Sequence, residues 1–300
     1  MCKNGSGVIG KSYFDAKAAG RTAAFFLLRA KIETMRKEKV TALLKTIGSK
    51  AGLPLTTDIT FYMIEDEKIQ DEIRIVLLSD FHNDYGEADI LRLGREVRNL
   101  KPDLILMPGD MAEEHHHQER TFAFLETLKG IPMYYSTGNH EEYRWDLTEL
   151  KQRFRDNGVI VLDEKKELVP VKNTVLEIAG ISCRLNMSAF MPSAVNGLFE
   201  TDHYRILLSH KPNWIGLYEQ LNCDLVVCGH AHGGQWHIPF VDIPVAAPSQ
   251  GFLPKYTSGI HDAGQSKMLI GRGLTRHYHG IPRLFNNPEI VILTLRPRTI

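Results

Sequence analysis

Short apolar runs rich in β-branched residues recur along the chain at 73–78, 104–107, 133–135, 159–162, 205–208 and 224–228. Runs of this length and content predict buried strands. Between several of them, segments 87–100, 121–128 and 147–154 space their apolar residues by three and four, which predicts amphipathic helices. Further strands are predicted at 59–64, 175–181, 268–270 and 290–295. The stretch 184–201 has no clear period, and Pro and Gly accumulate over 236–264, where loops and short strands are expected. Alternating strands and helices argue for an α/β layered core.

The N-terminal part has another character. Over 21–50, Phe25, Leu28, Ile32, Met35, Leu43 and Ile47 fall near one helical face with Lys and Arg between them. Two readings fit: a helix docked on the domain, or a basic amphipathic helix in peripheral contact with an anionic membrane surface. Gly52 and Pro54 end the segment. The expected organisation is a basic extension over residues 1–55 followed by one domain over 56–300.

Composition changes this picture little: 43% hydrophobic and 24% charged residues describe a globular chain. Formal net charge is zero, yet residues 1–50 hold eleven Lys/Arg against three acids. Zero overall charge and the lack of a basic–aromatic groove pattern count against a nucleic-acid partner. Four cysteines, Cys2, Cys183, Cys223 and Cys228, make no disulfide framework in a chain of 300 residues. The longest apolar run near the N-terminus, 23–28, has six residues, far short of a membrane span. A reduced, cytoplasmic setting is expected, with the inner membrane face as the alternative location.

The chemistry gathers where strands stop. Asp80-x-His82, Gly109-Asp110, Gly138-Asn139-His140-Glu141, Ser209-His210 and Gly229-His230-Ala231-His232 each follow a predicted strand. Open α/β sheets present their sites at such C-terminal strand ends. Residues i and i+2 of an extended segment point the same way, so His230 and His232 can converge on one object. Carboxylate, imidazole and amide oxygen are donors suited to Mn, Fe, Zn or Co. His115-His116-His117 fits a solvated loop or a cleft rim, and His237, His277 and His279 fit structural or surface roles. Arg144 and Arg272 fit either phosphate contacts or ordinary surface positions.

This ordered set resembles the calcineurin-like metallophosphoesterase superfamily, with motifs spanning residues 80 to 232. Gly229-His230-Ala231-His232-Gly233-Gly234-Gln235, Gly271-Arg272-Gly273-Leu274 and Phe285-Asn286-Asn287-Pro288-Glu289-Ile290 resemble its bacterial YkuE-type and YaeI-type branch. The resemblance implies a four-layer α/β/β/α sandwich of two mixed sheets flanked by helices. It also implies two divalent metal ions, one on Asp80, His82 and His232, the other on Asn139, His210 and His230, with Asp110 bridging. A metal-bridging hydroxide would then attack a phosphate ester or pyrophosphate. His140 would be the general acid, and Glu141 would sit behind, orienting His140 or a ligand imidazole. The implied substrate is a phosphorylated small molecule or a lipid-linked phosphate. A nuclease or nucleotide phosphodiesterase of the same fold, and a non-catalytic scaffold, are the alternatives; a scaffold would have lost ligands, and every expected position is filled.

Overall fold

Strand residues that are apolar on both faces must be covered on both faces, and that requirement builds the molecule. The computed structural model describes residues 56–113, 118–186, 191–238, 243–278 and 281–298. The expected helix at 21–50, the rest of the 1–55 extension, His115-His116-His117 and His279 lie outside them.

The first sheet contains β1 (Asp58–Asp66), β2 (Ile73–Leu77), β3 (Leu104–Pro108), β4 (Met133–Ser136), β5 (Val159–Val161) and β12 (Glu289–Pro297). Its order is β1-β12-β2-β3-β4-β5, and β12 is antiparallel only to β2. The second sheet contains β6 (Lys165–Val171), β7 (Thr174–Gly180), β8 (Tyr204–Leu208), β9 (Leu225–Cys228), β10 (Gly259–Ala263) and β11 (Ser266–Ile270). Its order is β10-β11-β9-β8-β7-β6, with parallel pairing inside and antiparallel pairs at both edges. Both sheets are mixed.

The pleat sends alternate residues into different cores. Ile73, Ile75 and Leu77 join Leu176, Ile178, Ile206, Leu208 and Val227 in a layer between the sheets. Val76 and Leu78 turn the other way, against Ile90, Leu93, Val97, Phe124 and Phe154. Those residues belong to α1 (Glu87–Asn99), α2 (Gln118–Thr127) and α4 (Leu147–Asp156). Between α2 and α4 lies the single turn α3 (Asn139–Glu142). On the far side of the second sheet, Val226, Cys228, Met268 and Ile270 pack with Met191, Val195 and Tyr218 from short helices. Helices, sheet, sheet and helices make four layers, as the resemblance implied. Each fully buried Leu, Ile or Val contributes roughly 1.5–3 kcal/mol, so these cores fix the strand ends firmly.

Two elements differ from the sequence reading. Strand β6, KKELVPV, is a sheet edge whose outer residues are exposed, so it lacks the apolar run that marks inner strands. The aperiodic stretch 184–201 contains helices Cys183–Asn186 and Met191–Asn196, four and six residues long and too short to express a period. Cys183, Cys223 and Cys228 are buried free thiols. No helix among the described residues is long and apolar enough to cross a membrane.

Candidate metal centre

Every strand end singled out in the sequence opens onto one spot. Asp80 and His82 follow β2, Asp110 follows β3, and Asn139, His140 and Glu141 form α3 after β4. His210 follows β8, while His230 and His232 follow β9. The first sheet therefore supplies the oxygen donors and two imidazoles, His82 and His140, and the second supplies three imidazoles.

The backbone is strained there. Asp80, His82, Asp110, His230 and His232 all have φ between 47° and 65°, the left-handed region that non-glycine residues avoid. Local bonds hold these conformations. Asp80 N–H donates to the Gly109 carbonyl (3.2 Å), and His82 N–H donates to the Asp110 carbonyl (3.3 Å). The Asp80 carboxylate accepts from His230 N–H at 3.0 Å, which ties the two sheets together. Asp110 Oδ1 accepts from His140 N–H at 2.9 Å. Gly138 makes that approach feasible: a Cβ on it would lie 2.1 Å from Asp110 Oδ1.

Three clusters of donors result: His82 with Glu113 and His140, and two made wholly of expected ligands. Asp80, His82 and His232 bring one ligand atom each within 4.8 Å of one another, as do Asp110, His210 and His230. His82 Nε2 and His232 Nε2 each stand 4.0 Å from Asp80 Oδ1. Asp110 Oδ2 reaches toward both groups, 2.9 Å from His210 Nε2 and 3.9 Å from His82 Nε2.

The far ring nitrogens are tied, which aims the near ones inward. His210 Nδ1 donates to the Pro108 carbonyl at 2.8 Å, so Nε2 faces Asp110. His82 Nδ1 meets Glu113 Oε2 at 2.9 Å, and His230 Nε2 meets Ser249 Oγ at 2.9 Å. His230 Nδ1 and His210 Nε2 face each other at 3.2 Å. A single proton can relieve one pair in the crowd of Asp110 Oδ2, His210 Nε2 and His230 Nδ1; a divalent cation relieves all three. Buried His82 Nε2 and Asn139 Oδ1 make no hydrogen bond among the described residues. The donor set therefore fits metal ions.

Electrostatics agrees with crowded donors. Burial pushes the Asp80 carboxyl up. Burial opposes the Asp110 charge, yet the His210 imidazole beside it, with His140 and His82, holds that carboxyl well below its usual range. Burial also opposes charge on His210, but Asp110 overrides it and raises the group to about 9. His230 and His232 are pushed well below the ordinary histidine value by burial, which leaves them neutral.

Glu113 is the functional residue that the sequence reading missed. Its carboxylate spans His82 Nδ1 and His140 Nδ1, both at 2.9 Å. Burial works against its charge, but the hydrogen bonds from His140 and His82 hold it well below the usual carboxylate range. Burial likewise disfavours charge on His140, yet Glu113 and Asp110 raise it to about 9. The available signal was a carboxylate three residues after Asp110.

Glu141 departs from its expected task. Its buried carboxylate accepts from the backbone N–H groups of Asp110, Ala112 and Gly138, at 2.9–3.0 Å, and has no hydrogen bond to an imidazole among the described residues. It braces the turn that carries Asp110, because three converging amides satisfy a buried carboxylate as an imidazole would. Burial, then the Asp110 charge, raises it to about 7.

The remaining ambiguous residues settle into the fold. Arg144 donates to the Glu113 carbonyl (2.7 Å) and to Asp146 (2.5 Å). Arg272 pairs with Asp58 and Glu289, His237 bonds the Gly233 carbonyl, and His277 bonds Asp84.

Comparison with known proteins agrees with this geometry. A putative metallophosphoesterase of Caenorhabditis elegans is 26% identical over 243 residues, 74% of this chain and 48% of the relative. The uncharacterized metallophosphoesterase YkuE of Bacillus subtilis (strain 168) is 26% identical over 240 residues, covering 75% of this chain and 80% of the relative. The phosphodiesterase YaeI of Escherichia coli (strain K12) is 28% identical over 237 residues, covering 74% and 82%. The chain spans about half the length of the nematode relative and most of the two bacterial ones. The family model described as calcineurin-like phosphoesterase matches residues 73–234, a stretch that contains all the converging strand ends. On that match, over more than half its length, the chain belongs to the calcineurin-like phosphoesterase family.

Proposed function

We propose that this chain is a metal-dependent phosphoric ester hydrolase that uses two divalent cations. The supporting observation is the position of Asp110 Oδ2, within 4 Å of an imidazole from each donor group. Asp80, His82 and His232 would hold one cation, Asn139, His210 and His230 the other, and Asp110 would serve both. Mn, Fe, Zn and Co all suit this mixture of carboxylate, imidazole and amide oxygen. Such a pair of cations supplies charge that offsets the phosphoryl oxygens and acidifies water.

The chain's own residues do the rest. Glu113 fixes the His140 ring through Nδ1, so Nε2 is the atom that carries the transferable proton. The Glu113 carboxylate on Nδ1 raises the proton affinity of His140 and so favours a ring that can deliver a proton to a departing oxygen. Glu141 and Gly138 hold Asp110 in its strained conformation, which presents Oδ2 to both groups. The substrate proposed is a phosphorylated small molecule or a lipid-linked phosphate. The relative named as a phosphodiesterase supports including a diester among the first substrates tested.

The test combines metal analysis with nitrophenyl and alkyl phosphate esters. Purified protein is expected to carry about two divalent ions per chain and to lose hydrolysis on chelation. His140→Ala should keep both ions and slow the alkyl ester by roughly 10²–10⁴-fold, with a smaller loss on the nitrophenyl ester, whose leaving group departs without a proton. Full activity after exhaustive metal removal would overturn the proposal. Equal slowing of both esters by His140→Ala would remove the general-acid role.

A further inference from the structure

The largest fully buried side chain among the described residues is a cation. Arg283 is 1% exposed, and among the described residues its guanidinium bonds only to backbone carbonyls. Nε donates to Thr275 O (2.7 Å), Nη1 to His232 O (3.2 Å), and Nη2 to Arg272 O (2.6 Å) and Gly273 O (3.2 Å). Burial pulls its affinity for a proton down to about 10, so it remains charged at neutral pH. Its four bonds go to neutral carbonyls, and the nearby Asp80 and Glu289 charges help to offset the cost of burying it.

The carbonyls it grips belong to two walls of one donor group. The 272–275 segment runs along the turn after β2: Leu274 N–H donates to Ser79 O (2.9 Å) and Thr275 N–H to Asp80 O (2.6 Å). Gly273, at φ 75°, lies so close that a Cβ would stand 2.7 Å from Asp80 Cβ. Holding this segment therefore holds Asp80, which comes from the first sheet. The fourth carbonyl is that of His232, from the second sheet, and it also receives Asn286 Nδ2 at 2.7 Å. His232 is itself in the left-handed region, at φ 47°. Through segment 272–275 one planar fork thus links His232 to the turn that carries Asp80. A lysine, a point charge without the fork, cannot satisfy four carbonyls in those directions.

We infer that Arg283 is a positioning residue for the Asp80–His82–His232 group alone, with Asn286 as its junior partner. The inference rests on the proposal that this group holds a divalent ion. It predicts site-selective loss. None of the bonds of Arg283 reaches Asp110, His210, His230 or Asn139.

The experiment is a Co²⁺ titration of the full metal-free chain, wild type, Arg283→Lys and Asn286→Ala, followed by visible absorption and equilibrium dialysis. Near-ultraviolet circular dichroism before titration verifies folding. Wild type should take up two ions. Arg283→Lys should weaken one ion by about 10–100-fold, the range for removing an indirect support of a metal ligand, and leave the other at wild-type affinity. Asn286→Ala should weaken the same ion by less, and it decides the question if Arg283→Lys does not fold. Equal weakening of both ions in folded variants, or wild-type affinity at both, would overturn the positioning role. Failure of the wild type itself to bind Co²⁺ would instead overturn the metal reading beneath it.

Discussion

The two donor groups are matched in chemistry but held in different ways. Around Asp80, His82 and His232 two supports are buried, a guanidinium and Asn286 on the His232 carbonyl, while the third, Glu113 on His82, is partly exposed. Around Asp110, His210 and His230 two supports are equally internal, Glu141 on the Asp110 amide and the Pro108 carbonyl on His210. The third is the hydroxyl of Ser249, an exposed residue on the turn of a hairpin built from Ala246–Ala247 and Gly251–Phe252. Buried supports keep full electrostatic strength and exclude competing water, whereas an exposed hydroxyl can be replaced by water. The His232 side of the first group is thus bolted by the fold, while the second group retains at His230 a side that the surface can adjust.

Asp110 is where the comparison should collapse, and its loss is the largest effect expected. Asp110→Asn keeps an oxygen to accept from His140 N–H but removes the charge that faces both groups. Metal affinity should fall at both positions by more than the roughly 100-fold that losing an indirect support costs, and hydrolysis should fall with it. Metal content after gel filtration measures this. Selective loss of a single ion would mean that Asp110 belongs to one group only.

Glu113 sharpens the comparison from the His82 side through pH. Because the folded protein raises His140 to about 9, that interaction stabilises the fold below the ordinary histidine value. The stabilisation is lost as pH rises through about 9. In Glu113→Gln the imidazole should release its proton at lower pH. The alkaline limb of alkyl-ester turnover should therefore shift downward by about 1–2 pH units, the usual effect of removing one adjacent charge. Nitrophenyl-ester turnover, which does not need that proton, should show a smaller shift. An unmoved alkaline limb on the alkyl ester would separate Glu113 from proton delivery.

The donors themselves were legible because each is a polar residue closing an apolar run, a signal local to a few positions. Their supports were not. Glu113 stands beside Glu114 and reads as an acidic turn, and Ser249 lies in a Pro- and Gly-rich stretch. Nothing in Gly-Ile-Pro-Arg-Leu-Phe announces that Arg283 is buried, since its partners are backbone carbonyls from residues 232 and 272–275. Sheet order was hidden for a related reason: β12, from the far end of the chain, inserts between β1 and β2. The strand–helix alternation gave layers, while the pairing that closes them is long-range. Glu141 shows the same limit, its position foreseen and its partners not.

The smallest effect expected is that of Ser249→Ala, and it tests the weaker support directly. Ser249 Oγ lies 2.9 Å from His230 Nε2 and has no role in bonding Asp110, His210 or Asn139 among the described residues. Its φ of 60° is carried by the turn, where Gln250 is locked by bonds to the backbone of Tyr256. Alanine should therefore leave the hairpin in place and remove only the hydroxyl. Water can enter at this exposed position and satisfy His230 Nε2, so the ion at His230 should weaken by less than about 10-fold, the low end of the range for indirect supports. Co²⁺ titration should find the ion at Asp80 and His232 unchanged, the mirror image of Arg283→Lys. A loss larger than that caused by Arg283→Lys would reverse the order of the two supports and make the surface hairpin the stronger brace.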